Sequence, residues 1–208
     1  RGYPCCTCNL HQGWPKFAQH LWLASKDGGI AALSYAPSTV TTQIGDNAEV
    51  TLQMTTGYPF RERTFITIST GAPLSFPIHL RIPSWAKGSE LQVNNEALPN
   101  PTAGTMHVIK RKWNDGDRLA IRFPMPVRST TWFARSKAIE RGPLVYALDI
   151  AEDWSEVVEA HPEGVPQDAM HRGYREVRPR SAWNFALPKS VVEQPRKHIR
   201  VDVKEEIA

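Results

Sequence analysis

The sequence predicts a mainly β protein: an antiparallel β-sandwich preceded by one helix. Three observations carry this expectation. Short runs alternate apolar and polar residues with the period of two that a half-buried strand requires. Gly, Pro, Asn and Asp cluster between those runs, as they do in turns joining short strands. Helical spacing is confined to the amino-terminal stretch.

That stretch comes first. Trp14, Phe17, Ala18 and Leu21 recur at i, i+3, i+4 and i+7, one apolar helical face, and Leu10 extends the stripe. The stripe reads Trp14 as a core residue. Pro15 suits the first turn of a helix, where its missing N–H is not needed. Gly28-Gly29 suits a helix stop. The expectation is therefore a helix of two to three turns from Trp14-Pro15, with Cys5, Cys6 and Cys8 in a loop just before it. The partial positive charge at a helix start would favour thiolate over thiol there.

Strand grammar follows. Ala48 to Met54 alternates after the turn-like Gly45-Asp46-Asn47. Phe65 to Ile68 continues in that style, and Ile78 to Ile82 alternates up to Pro83-Ser84. Leu91-Gln92-Val93 is a short run closed by Asn94-Asn95. Met106 to Trp113 and Arg118 to Phe123 flank Asn114-Asp115-Gly116-Asp117, a strong hairpin signal. Leu119, Ile121 and Phe123 share one face of the second run, with Arg118, Ala120 and Arg122 on the other. Leu144 to Ile150 is a last apolar run. Beyond it Pro162, Pro166, Pro179 and Pro188 interrupt any period, and Trp183-Asn184-Phe185-Ala186-Leu187 is the one dense apolar cluster. The expected organisation is a helical segment over 1–29, a sandwich over 30–150, and an irregular extension over 151–208 packed on the sandwich.

Composition narrows the function classes. Hydrophobic residues make up 41% and charged residues 22%, the balance of a globular protein rather than a disordered one. No apolar run approaches the length of a membrane span. The net charge of +4 is spread thinly, with no basic run of five, so neither nucleic acid nor a membrane is an expected partner. The chain starts at Arg1, and we read it as a portion of a longer protein.

All three cysteines lie within four residues, so no disulfide framework spans the chain and the compartment stays open. Four readings of the cluster compete. A self-contained zinc site needs four ligands, and Cys5-x-x-Cys8 supplies one pair, with His11 and His20 as further donors. A redox dithiol has the same spacing before a helix, although that motif normally follows a strand in a thioredoxin-like fold and the all-β remainder argues against it. Buried cysteines can be plain small hydrophobes. One thiolate can be a nucleophile held beside a metal whose other ligands come from elsewhere.

The stretch Cys5-Cys6-Thr7-Cys8-Asn9-Leu10-His11-Gln12-Gly13-Trp14-Pro15-Lys16-Phe17 resembles the Cys-Cys motif of glycoside hydrolase family 127, the β-L-arabinofuranosidases. Four further segments resemble that family in the same order: Leu80 to Ala86, Trp113 to Asp117, Phe123 to Arg128 and Glu140 to Leu148. The cluster from Trp183 to Leu187 also fits.

The resemblance implies an (α/α) barrel catalytic domain, with the helix as its last segment and the sandwich following. It implies a retaining hydrolysis of non-reducing-end β-L-arabinofuranosyl or related sugars. By motif, the nucleophile falls on Cys5. Cys5 and Cys6 become ligands of a zinc cofactor, completed by residues upstream. The acid/base, a Glu-x-Cys pair in the family, has no counterpart in this chain, which by itself is expected to be inactive. Cys8 departs from the pattern as either a silent replacement or an extra thiol. His11 and Gln12 fall at the pocket rim as substrate contacts. Trp85 and Trp113 read as structural, and Glu140 and Arg141 carry no catalytic assignment. The implied partners are a carbohydrate substrate and the chain's own catalytic domain, with a homo-oligomer left open. The competing function is a non-catalytic β-sandwich for carbohydrate binding or domain packing.

Overall fold

The computed structural model describes residues 5–157 and 174–204, and says nothing of the side chains of residues 5–8, 157 and 174. Helix α1 spans Cys5–Gln19. Ten strands then build two sheets. Sheet A contains β1 (Trp22–Ala24), β2 (Ile30–Ala32), β6 (Leu74–Arg81) and β9 (Met106–Trp113), in the order β1-β2-β6-β9. Sheet B contains β3 (Ser38–Ile44), β4 (Ala48–Thr56), β5 (Arg63–Thr70), β7 (Glu90–Val93), β8 (Glu96–Ala97) and β10 (Arg118–Arg122). Its order is β3-β4-β5-β10-β7-β8. All pairings are antiparallel except β2 with β6, where Ile30 faces Ile78 in parallel register.

The two sheets share one core. Sheet A contributes Ile30, Ala32, Phe76, Ile78, Leu80, Ile109 and Trp113. Sheet B contributes Val50, Leu52, Met54, Ile66, Ile68, Leu91, Val93, Leu119 and Ile121. This is the expected sandwich, and the alternation produces it. On β4, Val50, Leu52 and Met54 are buried, as are Ile66 and Ile68 on β5. Each such side chain contributes roughly 1.5–3 kcal/mol on burial. The faces of β10 also match expectation, with Leu119, Ile121 and the following Phe123 buried. Phe123 meets Tyr35 edge-on at 4.8 Å and Trp85 at 6.1 Å, closing one end of the sandwich. Trp113 is fully buried and donates its indole N–H to the Phe76 carbonyl at 3.0 Å. Both tryptophans are structural, as the sequence suggested.

Several expectations are corrected. The cysteines are not in a loop before a helix that starts at Pro15. They are inside α1, and Pro15 is in its interior. The carbonyl that Pro15 leaves without a helical donor belongs to His11, an exposed residue whose carbonyl water can reach. The helix ends at Gln19, so Gly28-Gly29 is not its stop. Trp14 is not core: it is 70% exposed, and Phe17 is 44% exposed. The sandwich begins before residue 30, because β1 pairs with β2 and Leu21 and Trp22 are buried in its core.

The runs either side of Asn114-Asp115-Gly116-Asp117 do not form a hairpin. β9 pairs with β6 in sheet A, and β10 pairs with β5 and β7 in sheet B. The turn carries the chain across the edge of the sandwich. Its own polar atoms fix it to sheet B: the Thr70 N–H donates to the Asp115 carboxylate, and the Gly116 N–H to the Ile68 carbonyl.

Beyond the sandwich, β11 (Val127–Thr131), β12 (Lys137–Arg141) and β13 (Leu144–Val145) form a three-stranded sheet. The apolar run from Leu144 is therefore mostly not strand, and Val145, Tyr146 and Leu148 are exposed. The region after 150 is not uniformly irregular. It contains an antiparallel pair, β14 (Glu152–Val157) and β15 (Tyr174–Pro179). Two short helices follow, α2 (Lys189–Glu193) and α3 (Pro195–His198). Ser129 of β11 donates to the Val192 carbonyl at 2.6 Å and ties α2 down. Trp183 and Phe185 are exposed rather than packed on the sandwich.

Candidate functional site

The chemistry singled out in the sequence lies on α1. Its first turn carries Cys5, Cys6 and Cys8, so the backbone places all three at the positive end of the helix dipole. Their side chains lie outside the described residues. Helical geometry fixes which neighbours share a face. At about 100° per residue, Asn9 and Gln12 return to the side of Cys5, at i+4 and i+7. His11, at i+6, is rotated by about 120° from it. Leu10, Trp14 and Phe17 lie toward the side of Cys6. The helix thus separates a polar edge from an apolar one. The two sequence-selected rim residues diverge: Gln12 shares the face of Cys5 and His11 does not. Both are exposed, and Gln12 donates to the Asn9 side chain at 3.3 Å.

The apolar edge has no cover among the described residues. Trp14 and Phe17 meet edge to face at 6.3 Å, and Leu10 is 68% exposed. Two aromatics and a leucine on one exposed helix side form a contiguous apolar surface of the kind that marks a docking face.

A retaining hydrolysis also needs a general acid whose carboxyl is held protonated near neutral pH. The buried carboxylates among the described residues do the opposite. Glu140 is held below its usual range by the hydrogen bond from Thr130, which with Arg128 outweighs the cost of burial. Arg128 reaches it at 2.6 Å and Thr130 at 2.6 Å. Burial pushes the Asp117 carboxyl up, but the Asn114 N–H, the Asn94 amide and Arg111 together pull it below its usual value. Both are ionised structural anchors, in keeping with Glu140 having no catalytic assignment. Arg141 is likewise structural, donating to the Phe60 carbonyl at 3.0 Å.

No cluster of three or more His, Cys, Asp or Glu that could hold a metal occurs among the described residues. Two neighbouring thiols are a donor pair that zinc accepts, so Cys5 and Cys6 suit the metal chemically but supply only part of a ligand set. No helix among the described residues is long and apolar enough to cross a membrane.

The described residues thus form a two-layered β domain led by a helix whose first turn carries three cysteines. Comparison with known proteins places it. Residues 29–125 match the family described as beta-L-arabinofuranosidase, GH127 middle domain. This stretch is thus similar to the middle domain of glycoside hydrolase family 127 over somewhat less than half of the chain.

Solved structures agree on the fold. A GH127 β-L-arabinofuranosidase from Geobacillus stearothermophilus T6 is similar at a TM-score of 0.62 and 23% identity, covering 84% of this chain and 34% of that one. A structure described as a glycoside hydrolase matches at 0.53 and 21%, covering 74% and 33%. A GH127 β-arabinofuranosidase matches at 0.53 and 20%, covering 74% and 28%. The chain thus spans about a third of the length of these structures, and at such identities the likeness speaks to fold alone. No curated protein sequence matches the chain.

Proposed function

We propose that this chain is the carboxy-terminal portion of a retaining glycoside hydrolase that removes non-reducing-end β-L-arabinofuranosyl or related sugars. The observation that carries this reading is the succession of a Cys5-Cys6 pair in the first turn of α1 and a match to the family 127 middle domain beginning at residue 29. The sandwich itself is non-catalytic, and the chain enters it directly after α1, where Leu21 and Trp22 are buried in its core.

In this reading Cys5 is the nucleophile. Its thiolate attacks the anomeric carbon, and the glycosidic C–O bond breaks as the leaving oxygen takes a proton from a carboxylic acid outside this chain. Water, deprotonated by the same carboxylate, then cleaves the thioglycoside and restores the thiolate. An unperturbed thiol, with a pKa of about 8.5, is mostly protonated at neutral pH. The start of α1 favours the ionised form. Cys5 and Cys6 would hold zinc together with ligands from the rest of the protein; bound there, the metal would keep the thiols deprotonated and close together. Gln12, on the Cys5 side of the helix, and His11 at its flank would contact the sugar.

The test uses the full-length enzyme and an aryl β-L-arabinofuranoside. Cys5→Ala abolishes hydrolysis while the protein stays folded. Activity retained in that variant removes the nucleophile assignment, and activity of residues 1–208 alone removes the division of the site between this chain and the rest.

A further inference from the structure

The outer face of sheet B carries a groove of about 310 Å³ across β5, β10 and β7. Its construction follows from register. Ala120 at the centre of β10 lies opposite Phe65 on one side and Gln92 on the other. A methyl group between two long side chains leaves a trough. One end is closed by the cross-strand row Arg63, Arg122 and Glu90. The other end is closed by Arg118, with Asn94 and Asn95 beside it. Strand spacings of about 4.8 Å and rises of about 3.3 Å per residue make the floor roughly 10 Å by 13 Å, the footprint of two pyranose rings.

The charges along it are not balanced. Arg122 is matched twice, by Glu62 at 3.0 Å and Glu90 at 2.9 Å. Arg63 and Arg118 have no carboxylate partner among the described residues, and both are exposed. The Arg118 guanidinium lies 3.9 Å from the centroid of the Phe65 ring. A guanidinium over an aromatic face is attracted to the ring while its N–H groups remain able to donate. A guanidinium so held is suited to a carboxylate, which it can bind with two parallel hydrogen bonds. The amide side chains of Gln92 and Asn95 add both donors and acceptors, which hydroxyl groups need and a simple anion does not.

We propose that this face is a binding site for an acidic oligosaccharide, a chain of uronic acid residues whose carboxylates pair with Arg63 and Arg118. The amides and the Phe65 edge take the hydroxyls and the ring. The site is separate from the Cys5 face of α1, and its occupancy does not depend on whether the cysteines are catalytic.

The test is affinity electrophoresis of the full-length protein through gels containing polygalacturonate, neutral arabinan or polyglutamate, at about 0.15 M salt to screen non-specific attraction. Polygalacturonate should retard the protein, and the other two should not. Arg63→Ala with Arg118→Ala should weaken that retardation about tenfold or more. Arg118→Lys, which keeps the charge but loses the planar fork, should weaken it several-fold and serves if the double variant does not fold. No retardation by polygalacturonate overturns the proposal. So does equal retardation by polyglutamate, which would make the groove a trap for acidic peptides. Unchanged retardation in either variant overturns it as well.

Discussion

Gly29 sits against Pro77 so closely that a Cβ on Gly29 would lie 2.1 Å from the Pro77 carbonyl oxygen and 2.5 Å from its ring Cγ. The contact falls where the parallel pairing of β2 with β6 begins, at Ile30 and Ile78. Pro77 brings bulk and no N–H into a strand flanked on both sides. Gly29 is the residue that makes room for it.

Gly29→Ala should therefore destabilise the sandwich by about 1–3 kcal/mol or more, since backbone and not a flexible side chain stands in the way. Urea unfolding checks this: the midpoint should fall with the slope unchanged. Gly28→Ala is the control, because a Cβ there meets nothing and only the positive φ of 76° opposes it. It should cost less, about 1 kcal/mol.

The turn between the two sheets gives a second expectation. The Asp117 carboxylate accepts from the Asn94 amide at 2.7 Å and from the Asn114 N–H at 2.9 Å, on an almost fully buried side chain. Asp117→Ala leaves both donors short of a partner, at a cost of about 1–3 kcal/mol for each that water cannot reach. A midpoint shift under about 0.5 kcal/mol would contradict the idea that this carboxylate fixes the crossing. Asp117→Asn, which keeps one acceptor, should fall between that variant and the native protein.

Acid sensitivity follows from the same carboxylate and from Glu140. Both are depressed in the folded protein, so each adds stability above its ordinary carboxylate range. That stability is lost as pH falls through the folded values. The share of the unfolding free energy that these two carboxylates supply should be flat from neutrality to about pH 5 and then decline, whereas His107, which burial holds below its ordinary value, begins to cost stability at higher pH. Glu140→Gln should be less stable at pH 7, where Arg128 is left without its partner, and should decline less steeply in acid. Parallel denaturant titrations at pH 7 and pH 4 decide it; identical pH slopes would show that Glu140 is not linked to folding.

What the sequence makes legible is uneven, and the reasons are physical. β4, β5 and β10 announce themselves because one face is buried and the other wet, which leaves a period of two. Ser38–Ile44 does not, since its inward set mixes the apolar Val40 and Ile44 with the polar Ser38 and Thr42, which blurs the period. The Asn114-Asp117 signature specifies a tight turn but not the sheet each flanking strand joins, which depends on Thr70 and Asn94, both far off in sequence. Pro15 carries the signature of a helix start, yet an exposed helix can run through it. The cysteine pair is legible as a motif because it is contiguous. The Arg63–Arg118 groove is not, because three strands distant in sequence assemble it, although the outward placement of Arg118, Ala120 and Arg122 can be read from the alternation.

Helix α1 offers the last expectation. Trp14 is 70% exposed and Phe17 44%, so neither contributes much to the stability of this chain on its own. Trp14→Ser with Phe17→Ser should leave its unfolding free energy within about 0.5 kcal/mol. Two opposed effects should separate elsewhere. Residues 1–208 alone present an apolar helix face and should self-associate, and the double substitution should abolish that. In the full-length protein, this face loses apolar burial when it is made polar if, as the proposed function has it, another domain covers it. Each aromatic removed there should cost about 3 kcal/mol or more, and the melting temperature should fall. Light scattering on the isolated chain and calorimetry on the full-length protein measure the two effects separately. If the substitutions leave the full-length protein as stable as before, α1 does not dock on the rest of the protein through this edge. The first turn, with Cys5 and Cys6, would then need some other support to reach a sugar.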